Sequence, residues 1–144
     1  MTFTRILAAS AAALAFTGIA AAQDYTQPPN FGTYELSSGF MPDPAELEII
    51  AGGNIDAAGI GCTGMITNAP DARLNWSGGE LTIGARSEYD TTLVVNAPDG
   101  EWYCVDDVNG LDPAIRFNAS GQYDIWVGTF WEEPVPAVLY ATEY

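Results

Sequence analysis

Residues 91–105 read Thr-Thr-Leu-Val-Val-Asn-Ala-Pro-Asp-Gly-Glu-Trp-Tyr-Cys-Val, two β-branched and aromatic runs on either side of Asp99-Gly100. An Asp-Gly pair between such runs is the signal of a two-residue type I′ hairpin. Pairing outward from that turn sets Ala97 against Trp102 and Val95 against Cys104. Leu93, Val95, Ala97, Trp102 and Cys104 then share one face, which is assigned to the core, because side chains alternate across a strand. The opposite side receives Val94, Asn96, Tyr103 and Val105. Further along, Ser120-Gly121 precedes a run in which Tyr123, Ile125 and Val127 point inward and Trp126 and Phe130 outward.

The same rhythm extends through the chain. Short β-type runs alternate with Gly, Pro, Asn and Asp clusters at the spacing of a sandwich or barrel. Candidate strands run from Gly32 to Leu36, Glu46 to Ala51, Gly64 to Thr67, Arg73 to Trp76 and Glu80 to Ala85. After the hairpin come Ala114 to Asn118, Gln122 to Phe130 and Ala137 to Thr142. No run has a helical period, and neither a repeat nor a low-complexity tract is present beyond an Ala-rich N-terminus. The expectation is an all-β fold, an antiparallel jelly-roll-like β-sandwich.

Residues 1–22 carry Arg5, an apolar stretch from Ile6 through Ile19, and Ala20-Ala21-Ala22 ahead of Gln23. A positive start, a short apolar core and an A-x-A site are the marks of a secretory signal peptide. The expected organisation is a signal peptide at 1–22, a flexible leader at 23–31 and one β-sandwich domain at 32–144. The product is then periplasmic or secreted, with no stable membrane insertion after cleavage. Cys62 and Cys104, an even pair in an exported chain, are expected to form a disulfide.

Composition excludes much of the chemistry open to other exported chains. Of 144 residues, 19 are acidic and 4 are Lys or Arg, there is no histidine, and the formal charge is -15. A Ser-His-Asp relay, a Cys-His relay and an imidazole zinc site are therefore ruled out. The negative charge repels phosphate backbones, so nucleic acid is not an expected partner. No P-loop, G-x-G-x-x-G or G-x-S-x-G motif is present.

From Glu88 to Phe130 the segments S-E-Y-D-T-T-L-V-V-N-A-P-D-G, V-D-D and I-R-F-N-A-S-G-Q-Y-D-I-W-V-G-T-F resemble the bacterial pre-peptidase C-terminal domain. The resemblance rests on Tyr89-Asp90-Thr91 at the start of a strand, the Asp99-Gly100 turn, the Asp106-Asp107 pair, and the strand containing Gly121, Tyr123, Ile125 and Val127. It implies a small antiparallel sandwich that accompanies secreted peptidases and other exported enzymes and is not itself a catalyst. It also implies that calcium or a polymer is a ligand to test for.

Two constellations stand out as candidate sites. Asp106, Asp107, Asn109 and Asp112 follow a strand in turn-rich sequence, and Asp90 begins the neighbouring hairpin strand. Several carboxylates and carbonyls on one flexible loop suit the six to eight oxygens that calcium takes. The alternative is a solvated acidic turn with Asn109-Gly110 at its tip. The second candidate is a binding patch of Val94, Tyr103, Val105, Trp126 and Phe130, an aromatic platform on which a partner protein or polymer docks. The alternative there is that the Trp131 to Pro136 loop or the C-terminal segment covers it. The functional expectation is an exported non-catalytic module that binds a partner protein or polymer, with calcium as a candidate cofactor. An exported hydrolase working without histidine and a structural cell-envelope protein are the competing readings.

Overall fold

The computed structural model describes residues 23–107, 110–131 and 133–144. Its elements are β1 (Thr33–Ser37), β2 (Ala45–Ala51), β3 (Ile55–Asp56), β4 (Met65–Ile66), β5 (Ala72–Ser77) and β6 (Leu81–Arg86). They continue with β7 (Thr91–Asn96), β8 (Trp102–Val105), β9 (Ala114–Phe117), β10 (Gly121–Thr129) and β11 (Val135–Thr142). The single helical turn among the described residues is a 3-10 turn at Ala57–Ile60, capped by the Asp56 carboxylate and ended by left-handed Gly61. Each expected run is a strand, with ends shifted by one or two residues.

Two sheets face each other as a sandwich. In the first, β10 is the spine: β7 lies antiparallel along one edge and carries β8 beyond it. On the other edge β10 meets β5 along Gly121–Ile125 and β4 at Thr129. β1 adds outside β5 in parallel, a departure from the all-antiparallel expectation, and β3 adds to β4. The second sheet runs β2-β11-β6-β9, antiparallel throughout. Between the layers lie Ile49, Leu74, Trp76, Leu81, Ile83, Leu93, Val95, Tyr123, Ile125, Val127 and Leu139, all buried. Tyr123, Ile125 and Val127 point inward as their alternation requires.

The decisive hairpin forms with a different turn and a register shifted by one residue. Asn96 pairs with Trp102, Val95 with Tyr103, Val94 with Cys104 and Leu93 with Val105. A type I′ turn centred on Asp99-Gly100 needs positive φ at both residues, and among the described residues no non-glycine adopts it. Instead Pro98 and Asp99 occupy the centre of a type I turn, closed by the Gly100 N–H donating to Ala97 O at 2.9 Å, and Gly100 takes φ 81° as a G1 bulge. Proline at the first central position, with its fixed negative φ, favours this solution. The extra residue moves Trp102 and Cys104 to the face opposite Leu93, Val95 and Ala97. Tyr103 turns to the core side, where its hydroxyl donates to Asp99 Oδ2 at 2.6 Å.

That opposite face is not bare. The segment β3, the 3-10 turn and β4 folds over it, and Ile55, Ala57, Cys62 and Ile66 pack with Val94 and Trp126 in a second small core. Cys62–Cys104 is a disulfide, as expected, and ties this strap to β8. Where the chain enters the strap it runs so close to β4 that a Cβ at Gly53 would stand 2.2 Å from Ile66 O. Gly53→Ala must therefore push backbone against backbone, and a loss of about 2 kcal/mol in unfolding free energy is expected. Urea denaturation measures it; an unchanged midpoint contradicts this packing.

Residues 23–31 are not a free tail. Many of their side chains are exposed, but the Asp24 N–H donates to Asn68 O, the Asn30 N–H to Pro70 O and the Phe31 N–H to Asp71 O. The Arg73 guanidinium donates to Tyr25 O at 2.6 Å while pairing with Asp124 at 2.7 Å. The segment expected as a flexible leader is thus hydrogen-bonded to the first sheet.

Candidate functional site

Strand order places the loops after β2, β6, β8 and β10 at one end of the sandwich. Thr91 pairs with Thr129 and Leu93 with Val105, so one step past the ladders Asp106, Asp90 and Phe130 stand on three adjacent strand ends. Phe130 and Trp131 follow β10 directly. Their rings lie 6.3 Å apart, and Trp131 is 55% exposed. The Thr129 hydroxyl donates to Trp131 O, which fixes the start of the loop on the sheet. Tyr89 and Leu111 add exposed apolar surface on neighbouring loops of the same end.

Beside these residues an open depression of about 440 Å³ runs between Phe31, Ile50, Gly52, Asn54 and Pro134. Its floor holds Asp71, which is 1% exposed. The Asp71 carboxylate accepts from the Val127 N–H at 2.7 Å and from Asn30 Nδ2 at 3.3 Å. Burial pushes its pKa up to about 7 despite these hydrogen bonds. The group fills a gap in the sheet: β5 stops opposite Ile125 and β4 begins opposite Thr129, leaving the Val127 N–H to the side chain. Asp71 was not singled out by its sequence context. The Asn68-Ala69-Pro70-Asp71 run reads as a solvated turn, whereas the carboxylate's partners, Asn30 and Val127, come from distant parts of the chain.

The acidic set is only partly brought together. Burial together with Asp107 and Asp106 raises the Asp90 pKa, which places those three carboxylates within electrostatic reach. Asp112 turns away and accepts the Ser87 N–H at 3.3 Å, and Asn109 lies outside the described residues. Asp90 Oδ1 is enclosed with no donor among the described residues. However, no group of three ligating side chains among them is placed to hold one metal ion. Since the Asp90 carboxylate is disfavoured in its charged form, Asp90→Asn is expected to raise the melting temperature at neutral pH. The gain should vanish below the ordinary carboxylate range, where both folded and unfolded chains are neutral at this position. Thermal melts across pH check this, and a lower melting temperature for the variant at neutral pH contradicts it.

The aromatic platform is not assembled. Val94 and Trp126 are 0% exposed, because the strap covers them rather than the Trp131 to Pro136 loop. Val105 packs against the main core. Tyr103 stands edge-on to Phe117 at 5.4 Å, and Phe117 meets Tyr123 at 4.8 Å, a stack that closes the β8 and β9 edge of the sandwich. The one-residue register shift accounts for this exchange of faces. Of the five residues, Phe130 alone belongs to the exposed loop end. Trp131 beside it was missed as a contact residue, although Phe-Trp-Glu-Glu-Pro between two strands places two aromatic residues in a turn.

No family model matches the chain, and no curated protein matches it. Among solved structures it is similar to the pre-peptidase C-terminal domain of a collagenase from Bacillus anthracis. The identity is 13%, over 81% of this chain and 98% of that one, with a TM-score of 0.45. It is also similar to PliG of Aeromonas hydrophila, a periplasmic inhibitor of g-type lysozyme. There the identity is 18%, over 76% of this chain and 96% of that one, with a TM-score of 0.46. The domain type that the sequence resembles is thus found among similar structures. At these values the likeness concerns β-rich shape and carries no argument about function.

Proposed function

We propose that this protein is an exported, non-catalytic binding module whose loop end engages a positively charged partner protein. The observation that carries the reading is the exposed Phe130 and Trp131 pair beside Asp90, Asp106 and Asp107. Aromatic side chains supply most of the contact energy at such surfaces, and the surrounding charges select the partner and speed its approach. The field of the molecule supports the same sign. Arg73, Arg86 and Arg116, the arginines among the described residues, are each paired with a carboxylate of the chain itself. Carboxylates are left in excess. The disulfide suits an oxidising compartment. A non-catalytic role is supported by the lack of histidine and by Asp71, whose carboxylate is taken up by the backbone it repairs.

The test is capture of partners from an exported protein fraction on the immobilised full chain. Trp131→Ala is expected to reduce capture at least tenfold, about the loss of one interface anchor, while leaving the melting temperature unchanged because the side chain is exposed. Raising salt from about 0.05 to 0.5 M should weaken capture as well, by screening. Capture that ignores both changes sinks the reading, as does turnover of a peptide or glycan substrate at an enzyme-like rate.

A further inference from the structure

The two long sides of the sandwich are finished differently. At the β8 and β9 side, the Tyr103, Phe117 and Tyr123 rings fill the space between the sheets. At the β1 and β2 side Phe40 stands edge-on to Trp76 at 5.9 Å at one end, and Leu36 and Leu47 are only partly buried. A slot of about 70 Å³ enters there between Tyr34 and Leu36 of β1 and Ala45 and Leu47 of β2, with Leu74 and Ile125 at its depth. A second, open depression continues along β2 past Phe31, Ile49 and Ile50.

β2 is also the free edge of its sheet. It pairs with β11 alone, over Ala45–Ala51. In an antiparallel edge strand every second residue turns its N–H and C=O away from its neighbour, so β2 offers a ladder to an added strand. The run has seven residues and no proline within it. Edge strands are commonly guarded by charge or proline, and here Glu46, paired with Arg86, and Glu48, with no ion-pair partner among the described residues, stand on the outer face, followed by Ile50, which is 48% exposed.

We infer that β2 is a strand-addition site for an extended, positively charged peptide segment with alternating cationic and apolar residues. The backbone of the added strand completes the second sheet. Its apolar side chains turn toward the slot beside Leu47, and its cationic side chains stand beside Glu48. A second copy of this chain does not fit, because antiparallel pairing of β2 with itself brings the glutamates of the two copies together on one face, where like charges repel. The site is separate from the loop end.

The probe is a seven-residue peptide alternating lysine and valine, offered to the full chain, with amide hydrogen exchange read along Ala45–Ala51. Slowed exchange at alternate β2 amides is expected. Glu48→Lys, an exposed change, should weaken peptide binding about tenfold, and so should proline in place of the central valine of the peptide, which interrupts the ladder without changing charge. A peptide with glutamate in place of lysine should not bind. The inference is overturned if the proline peptide binds as well as the parent, if protection falls outside β2, or if Glu48→Lys binds unchanged. It is equally overturned if β2 amides become protected with rising protein concentration and no peptide, since the occupant is then a second copy. Trp131→Ala leaves this peptide binding intact, which separates failure here from failure at the loop end.

Discussion

Replacing both Cys62 and Cys104 with serine is expected to lower the unfolding free energy by about 4 kcal/mol, the loop-closure value for a cross-link spanning 42 residues. The consequence goes beyond a less stable chain. The bond fastens the strap over Val94 and Trp126, and β4 adds a single ladder pair to β10, at Thr129 and Met65. Once the bond is lost, the strap should open before the sandwich unfolds. Tryptophan emission from Trp126 and Trp102 should shift to longer wavelength at lower denaturant than the far-ultraviolet signal of the sheets. The parent protein treated with a thiol reductant should follow the same course. Coincident transitions at the parent midpoint would show that the bond holds nothing that packing does not already hold.

Asp71→Ala should cost about 3 kcal/mol, because it leaves the Val127 N–H buried without an acceptor. The acid also makes stability depend on pH in a sense opposite to a salt-bridged carboxylate. Its pKa rises from 3.8 in the free group to about 7 in the fold. Between those values the folded chain keeps a proton that the unfolded chain has released. Stability therefore falls as pH rises through this window, by about 4 kcal/mol over its width, and below it the penalty is absent. Asp71→Asn keeps an oxygen for Val127 and cannot ionise, so the difference in urea midpoint between variant and parent should widen in favour of the variant from pH 4 to pH 7. Parallel pH profiles for the two proteins would contradict a buried, protonating carboxyl at this position.

The strands were legible because period-two alternation and turn residues are local signals. Gly121 to Val127 reads correctly from the sequence alone, and so does the pairing of the two cysteines as a disulfide. What failed depended on one bulge. Asp99-Gly100 supports two hairpin geometries, and Pro98 tips the choice toward the longer one, which exchanges the faces of β8. Tyr103 and Val105, assigned to an aromatic platform through that register, were misplaced with it, while Val94 and Trp126 lie on the expected face but under the strap. The strap escaped notice for another reason. Ile55 and Asp56 make a strand too short to show alternation, and glycines at 53, 59 and 61 read as loop although the first of them permits close packing. Asp71 lay beyond reach because its partners, Asn30 of the leader and the Val127 N–H of β10, arrive from elsewhere in the chain. The exposed Phe130 and Trp131 were within reach, since two aromatics beside Glu-Glu-Pro between strands have no neighbouring apolar run to bury them.

The placement of β10 and β11 governs when this protein is able to fold. Each sheet is organised around one of them: β10 joins β5 to β7, and β11 joins β2 to β6. Both lie in the last quarter of the chain, at Gly121–Thr129 and Val135–Thr142. A chain lacking them leaves β2 without a partner and the pairs β1–β5, β6–β9 and β7–β8 unjoined, and loop closure across so many residues is slow. The two sheets are therefore completed only once the last quarter of the chain is available to join them.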